Sequence, residues 1–241
     1  MRDAAATRID LFTVRRAAVP LALLRMATDR LALRGRPDLR FAKLLGTGDG
    51  RTFDARDADL RRWGLLTVWA TPDAAAGFAR GDGPLRGWRR SSTEHWWATL
   101  ETLRARGRWS GRQPFGAPAA SDRPGRPAGA AGDPVAALTR ARLRWRHAPR
   151  FWRAVPPVNA DLTARDAVLL RIGIGEAPIG LQGTFSLWRD ADALRAFAYG
   201  ALPHRQVIKR SQDERWYAEE LFARFAVRDH GGTIFGRDPL A

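Results

Sequence analysis

Residues 116–134, GAPAASDRPGRPAGAAGDP, include only five that are not Gly, Ala or Pro. A segment of that composition buries too little apolar surface to offset the entropy of ordering it, so it reads as a flexible link. It divides the chain into two blocks of similar length, 1–115 and 135–241, and any fold must be assembled from both. In the first block, periodicity and breakers predict a strand over 8–14, a helix over about 20–33, strands over 41–45 and 65–70, and a helix over 72–80. The second block gives the same order: a strand over 135–145, a helix over about 149–155, strands over 168–174 and 181–188, and a helix over 191–199. A further helical stretch is expected from 203 to about 222, then a closing segment with Gly231, Gly232 and Gly236.

The blocks also share side chains. VWATPDAAAGFARG at 68–81 and LWRDADALRAFAYG at 187–200 fit one pattern, W-x8-F-A-x-G, at an offset of 119 residues. Trp69, Phe78, Ala79 and Gly81 stand against Trp188, Phe197, Ala198 and Gly200. Each tryptophan ends an apolar strand. Asp73 and Asp190 follow near helix starts, where a carboxylate can accept free backbone N–H groups. The expected fold class is α+β, with two split βαβ units packed sheet to sheet into one barrel-like core.

The chain has no cysteine, which excludes disulfides, thiolate-ligated metals and cysteine nucleophiles. Any metal must be held by nitrogen or oxygen, and the histidines are His95, His147, His204 and His230. None has a second histidine at i+3 or i+4, so a His-x3-His zinc site is not supported. His204, in YGALPHRQVIKR, falls one residue after a proline at the expected first turn of a helix. No window has the roughly 18 consecutive apolar residues of a membrane helix, and MRDAAATRIDLF lacks the pattern of a signal peptide, so a cytoplasmic location is expected.

The formal charge is +16, and 39 of the 41 basic residues are arginine. They are scattered among aspartates in a chain rich in Ala, Gly and Pro, a pattern matching GC-rich coding. A nucleic-acid-binding module is the rival this charge raises, but no nucleic-acid partner is expected. GTGDG at 46–50 and GIGEAPIG at 173–180 lack the Lys-Ser/Thr of a P-loop and read as turns after strands. No G-x-S-x-G elbow occurs. In TRARLRWRHAPRFWR, 139–153, strand alternation puts Arg140, Arg142 and Arg144 on one face, which reads as solvated.

Read in order, LRFAKLLGTG (39–48), WGLLTVWAT (63–71), RGRWSGRQPF (106–115), TRARLR (139–144), LLRIGIGEAPIGLQGTFSLWRD (169–190) and PHRQVIKRSQDERWYAEELFARFAV (203–227) resemble the spheroidene monooxygenase family, the acyclic carotenoid 2-ketolases. The resemblance covers almost all of the chain outside 116–134. It implies a haem-dependent monooxygenase with tandem ferredoxin-like repeats, similar to a dimeric α+β barrel fused in one chain. His204 matches the family's histidine and is the implied iron ligand. Gln182, Ser186 and Arg171 are the implied distal candidates, and Arg144 is the candidate for a haem propionate. The implied substrate is a hydrophobic polyene, oxidised twice at one carbon to a geminal diol that loses water to give a ketone. The implied partners are an acidic electron donor such as ferredoxin, steered by the basic surface, and a peripheral membrane contact. A haem-binding protein of the same fold with dehydratase or haem-handling activity is the alternative.

Overall fold

In a computed structural model of the chain, the residues described are 5–48, 57–81, 83–116, 132–147, 167–176, 181–200, 213–214 and 216–241. They form the strands β1 (Ala6–Val14), β2 (Leu39–Gly48), β3 (Ala58–Trp69), β4 (Ser92–Gly107), β5 (Val135–Leu143), β6 (Val168–Gly175), β7 (Leu181–Trp188) and β8 (Tyr217–Gly232). The helices are α1 (Val19–Leu33), α2 (Pro72–Arg80), α3 (Pro84–Ser91) and α4 (Ala191–Gly200). All eight strands belong to one antiparallel sheet in the order β1-β3-β2-β6-β7-β5-β8-β4, and β1 also pairs with β4, so the sheet closes on itself.

This corrects the expected fold class. Tandem ferredoxin-like repeats packed sheet to sheet, in the manner of a dimeric α+β barrel, would present two sheets to each other. Here the strands hydrogen-bond into a single continuous sheet in one α+β domain, with β2 joined to β6 and β4 to β8. The sequence reading also lacked β4 and β8, the two longest strands. Residues 217–222, expected to be helical, open β8. YAEELFARF is rich in good helix formers, but Leu221, Ala223 and Phe225 alternate onto the core face, and that burial overrides local propensity. The 116–134 link lies largely outside the described residues, as does the helix expected over 149–155.

Alternation divides the apolar residues into an inner and an outer set. The inner face holds Ile9, Leu11, Leu45, Trp96, Leu138, Ile172, Phe185, Phe225 and others in one cluster. The outer face of the first half packs Phe12, Leu44, Trp63, Leu65 and Trp69 under α1, α2 and α3. On the second half, Val135 and Trp188 pack under Leu194 and Phe197 of α4. The tryptophan–phenylalanine pairs of the W-x8-F pattern pack alike, with ring centroids 4.8 Å apart for Trp69–Phe78 and 5.2 Å for Trp188–Phe197. Asp190 caps α4 by accepting from Ala193 N at 2.7 Å. Thr71, not Asp73, caps α2, accepting from Ala74 N at 3.1 Å.

Both ends of the interior are stoppered. After Gly107 the chain makes a tight hairpin closed by Trp109 and Arg112, and after Gly232 it makes another closed by Ile234 and Arg237. The central residues have positive φ in both, Ser110 and Gly111 in one, Phe235 and Gly236 in the other. That is the primed-turn geometry that matches strand twist. Each hairpin turns an apolar residue, Trp109 or Ile234, into the inner cluster. Because β4 and β8 run antiparallel, the two stoppers lie at opposite ends. A carboxylate near the start of the partner strand holds each turn: Glu219 accepts from Ser110 N (3.1 Å) and Gly111 N (2.7 Å), and Glu94 accepts from Gly236 N (2.6 Å).

Gly107 has positive φ, and a Cβ there would run into the Glu220 carbonyl, whereas Gly35 has positive φ with open space around it. Gly107→Ala is expected to cost about 3 kcal/mol and Gly35→Ala about 1 kcal/mol. Urea unfolding midpoints of the two variants check this ordering.

Candidate functional site

The inner face carries large buried side chains, and the outer faces of the two halves differ. The halves lay down their strands in the same internal order, β4-β1-β3-β2 and β8-β5-β7-β6, so their outer positions can be compared through the registers. In the first half, Phe12 pairs with Trp63 and Leu44 with Leu65. In the second, the corresponding pairs are Ala141 with Gln182 and Gly173 with Thr184. Four large apolar residues are replaced by small or polar ones. The neighbouring pair changes too, from Ala42–Thr67 to Arg171–Ser186.

Arg171 and Ser186, both singled out in the sequence, thus belong to an outer face stripped of bulk, and Gln182 holds the register position opposite Ala141. Arg171 and Ser186 are direct partners across β6 and β7. Ser186 is buried, and its Oγ accepts from Trp188 Nε1 at 2.9 Å, which leaves the hydroxyl proton to be donated elsewhere. Thr139 and Thr184 share a hydrogen bond of 2.6 Å beside them. Gln182 lies four residues along β7 from Ser186, roughly 13 Å at the strand rise. Arg144 follows the end of β5 beyond Gln182. It is exposed, and its Nε donates to Tyr217 O at 3.3 Å. It therefore stands apart from the Arg171–Ser186 pair. His204 lies outside the described residues.

The histidines among the described residues are His95, His147 and His230. His95 Nε2 is 2.8 Å from Asp10 Oδ1, and its ring stacks on Phe12. His230 Nδ1 is 3.2 Å from Asp238 Oδ2. His147 Nε2 accepts from Arg146 Nε at 3.0 Å. All three imidazoles are engaged by neighbouring side chains. Among the described residues no group of three or more His, Asp or Glu could hold a metal ion, so multidentate metal binding has no support there.

A second polar constellation was missed as a site, although the sequence segments that supply it were singled out. Glu176, just beyond β6, accepts from Trp109 Nε1 (2.6 Å), from Arg140 Nε (3.2 Å) and Nη2 (2.9 Å), and from Lys43 Nζ. Arg140 also donates to Glu219, and Lys43 Nζ to Ser110 Oγ at 2.7 Å. Arg140 was expected on a solvated face. It projects inward instead, on the side of Ala136 and Leu138, and is buried. Burial alone would raise the Glu176 carboxyl, but Lys43, then Trp109 and Arg140, outweigh it and hold the group below its ordinary value. Burial likewise opposes ionisation of Glu219, and the Gly111 and Ser110 N–H groups with Arg140 overcome it. The two cations and two carboxylates balance in charge, and the cluster fastens three strands, the Trp109 hairpin and the turn after β6.

The glycines of GTG and GIG are also explained. Residues 46–48 pair with 173–175, so these are the seam between β2 and β6 and not turns. None of Gly46, Gly48, Gly173 and Gly175 is among the residues with positive φ.

Over 224 residues the chain is 34% identical to a spheroidene monooxygenase of Rhodobacter capsulatus, covering 93% of this chain and 90% of that one. It is 33% identical over 216 residues to a spheroidene monooxygenase of Cereibacter sphaeroides (89% and 64%) and 35% over 204 residues to one of Rubrivivax gelatinosus (84% and 74%). No family model matches. Among solved structures, an aldoxime dehydratase superposes with a TM-score of 0.58 at 11% identity, covering 93% of this chain and 81% of that chain. An aldoxime dehydratase crystallised with butyraldoxime gives 0.56 at 11% identity, covering 93% and 79%. These two share the fold.

Both Glu176 and Glu219 ionise more readily folded than unfolded. Their stabilisation is therefore complete above the ordinary carboxylate value of 4.5 and is lost as pH falls through the lower folded values. Thermal unfolding from pH 7 to pH 3 is expected to show that loss. Glu176→Gln should be destabilised by about 3 kcal/mol at pH 7, because Lys43 and Arg140 lose their counter-charge, and its acid dependence should be shallower.

Proposed function

Since the chain belongs to the spheroidene monooxygenase family, we propose that it inserts oxygen into a hydrophobic polyene of the carotenoid class, with a haem held by His204 against the outer face of β5, β7 and β6. The observation that carries the location is the exchange of Phe12, Leu44, Trp63 and Leu65 for Ala141, Gly173, Gln182 and Thr184 at corresponding positions. A sheet face with those side chains accepts a flat apolar group where the first half has filled the same space with its own residues. Bound there, the haem supplies the electron transfer and oxygen activation that attack on an unactivated C–H bond requires.

The chain's own residues have distinct parts in this reading. Ser186 Oγ, already accepting from Trp188, donates its proton to an oxygen-bearing group over the face. Arg171, on the partner strand, sets a positive charge beside it. In the absence of any thiolate, this hydroxyl and this guanidinium would supply the proton donor and positive charge on which a bound haem's oxygen chemistry would draw. Gln182 borders the same face, and Arg144, beyond it, presents its guanidinium to a propionate. The substrate is held by apolar contact and needs no charge. Two successive insertions at one carbon give a geminal diol, which loses water to a ketone. The formal charge of +16 draws an acidic donor such as ferredoxin to the surface at a rate that falls with salt.

Protein expressed with a haem precursor is expected to show a Soret band that is lost or shifted in His204→Ala. A colourless wild type would end the haem reading, and an unchanged spectrum in the variant would end the ligand assignment. Ferredoxin-coupled conversion of a linear carotene then separates an oxygenase from a haem carrier.

Refilling the face offers an independent check. Ala141→Phe with Thr184→Leu restores the bulk that the first half carries in Phe12 and Leu65. This variant is expected to melt within a few degrees of the wild type while haem binding weakens by about tenfold or more. Retention of full haem affinity would move the site elsewhere.

A further inference from the structure

α1 has its polarity reversed. Ala22, Asp29 and Leu33 point inward, and Trp88 Nε1 donates to Asp29 Oδ2 at 3.0 Å while Arg25 lies 3.7 Å from the same carboxylate. The carboxylate is inside and the leucines are outside. Leu21, Leu23, Leu24 and Leu31 are 42%, 50%, 59% and 65% exposed. Among the described residues, four of the six exposed large hydrophobics lie on this one helix, so they form a patch and are not ordinary scatter. Pro20, Leu24, Ala27 and Leu31 follow one another at helical spacing along the exposed side, with Leu21 and Leu23 flanking them. Exposed arginines bracket that side: Arg16 before the helix and Arg34 just after it, with Arg15 and Arg30 nearby donating to Arg90 O (2.8 Å) and Glu176 O (3.1 Å).

We infer that α1 is a membrane-docking helix that lays its leucines into the surface of an anionic bilayer while Arg16 and Arg34 contact the lipid headgroups. An apolar helix face framed by cations is the arrangement that binds in the plane of an anionic interface. No helix of the described residues is long and apolar enough to cross a membrane, so the contact is one of lying on the surface. A second copy of the chain is the poorer occupant, because pairing two such faces would bring the same arginines together. The inference stands on α1 alone and is independent of the oxygenase reading. It supplies that reading with a route by which a lipid-dissolved substrate reaches the protein.

The test is cosedimentation with vesicles of phosphatidylcholine, with and without phosphatidylglycerol. Wild-type protein is expected to bind the anionic vesicles, to bind less as salt rises, and to bind pure phosphatidylcholine weakly. Leu24→Glu with Leu31→Glu, both at exposed positions, should retain the wild-type melting temperature and weaken binding by about tenfold or more. Arg16→Gln with Arg34→Gln should weaken it by several-fold and flatten the salt dependence. Equal binding by the leucine variant would overturn the inference in favour of diffuse charge attraction, as would absence of wild-type binding. A wild-type dimer in sedimentation velocity that the leucine variant dissociates would assign the face to a second copy. None of these readouts uses haem or turnover, so they can fail or succeed whatever the fate of the proposed activity.

Discussion

The short seam between β2 and β6 is the constraint on which the rest depends. A sheet of eight strands closes only if its two halves meet on both sides, and among the described residues they meet on this side over 46–48 and 173–175. The opposite junction, β4 with β8, runs along most of two 16-residue strands. The cluster around Glu176 compensates for the difference. It sits one residue past the seam and draws Lys43 from β2, Arg140 from β5 and the Trp109 indole onto one carboxylate. A buried ion-pair cluster contributes little net stability over an apolar core, but it penalises every arrangement that leaves one partner unmatched. Its value here is in fixing register where few backbone bonds do so.

Closure also sorts the side chains into an inside and an outside. Trp109 and Ile234 enter the inner cluster from opposite ends, and Trp96, Phe185 and Phe225 belong to the same cluster. The two outer faces have diverged. One is paved with Phe12, Leu44, Trp63 and Leu65 under three helices. On the other, the described apolar packing centres on Trp188 and Phe197, with Thr139, Thr184 and Ser186 among its strand positions.

Much of this was legible in the sequence, but unevenly. Strands and helices with clear periods, such as 72–80 and 181–188, were placed within a residue or two, because their burial pattern and breakers are local. β4 and β8 were not. Their inner faces include Ala98, Thr102 and Ala223 among large residues, and their outer faces carry helix-favouring Glu, Ala and Arg, so only pairing with each other and with β1 and β5 makes them strands. The face shared by Gln182, Thr184 and Ser186 was readable from alternation, but whether it was pocket or solvent side required knowing what fills the other face. Arg140 was misjudged for the same reason: alternation groups it with Arg142, and only the distant Glu176 and Glu219 explain why one is buried and the other is not. GIG and GTG were seen as glycine-rich, but a seam formed by two segments so far apart leaves no local signature.

A closed sheet must be made from an open one. During synthesis the first half emerges as β4-β1-β3-β2, and until residues beyond 168 follow, β2 and β4 are both bare edges offering unpaired N–H and C=O groups. β8, the last strand to be made, covers β4 and β5 together, and β6 covers β2. Pairings that wait for partners over a hundred residues downstream are slow to form. The chain therefore passes through a stage in which its edges are open to any neighbouring strand, and its final edge-free form is a property that only the complete molecule possesses.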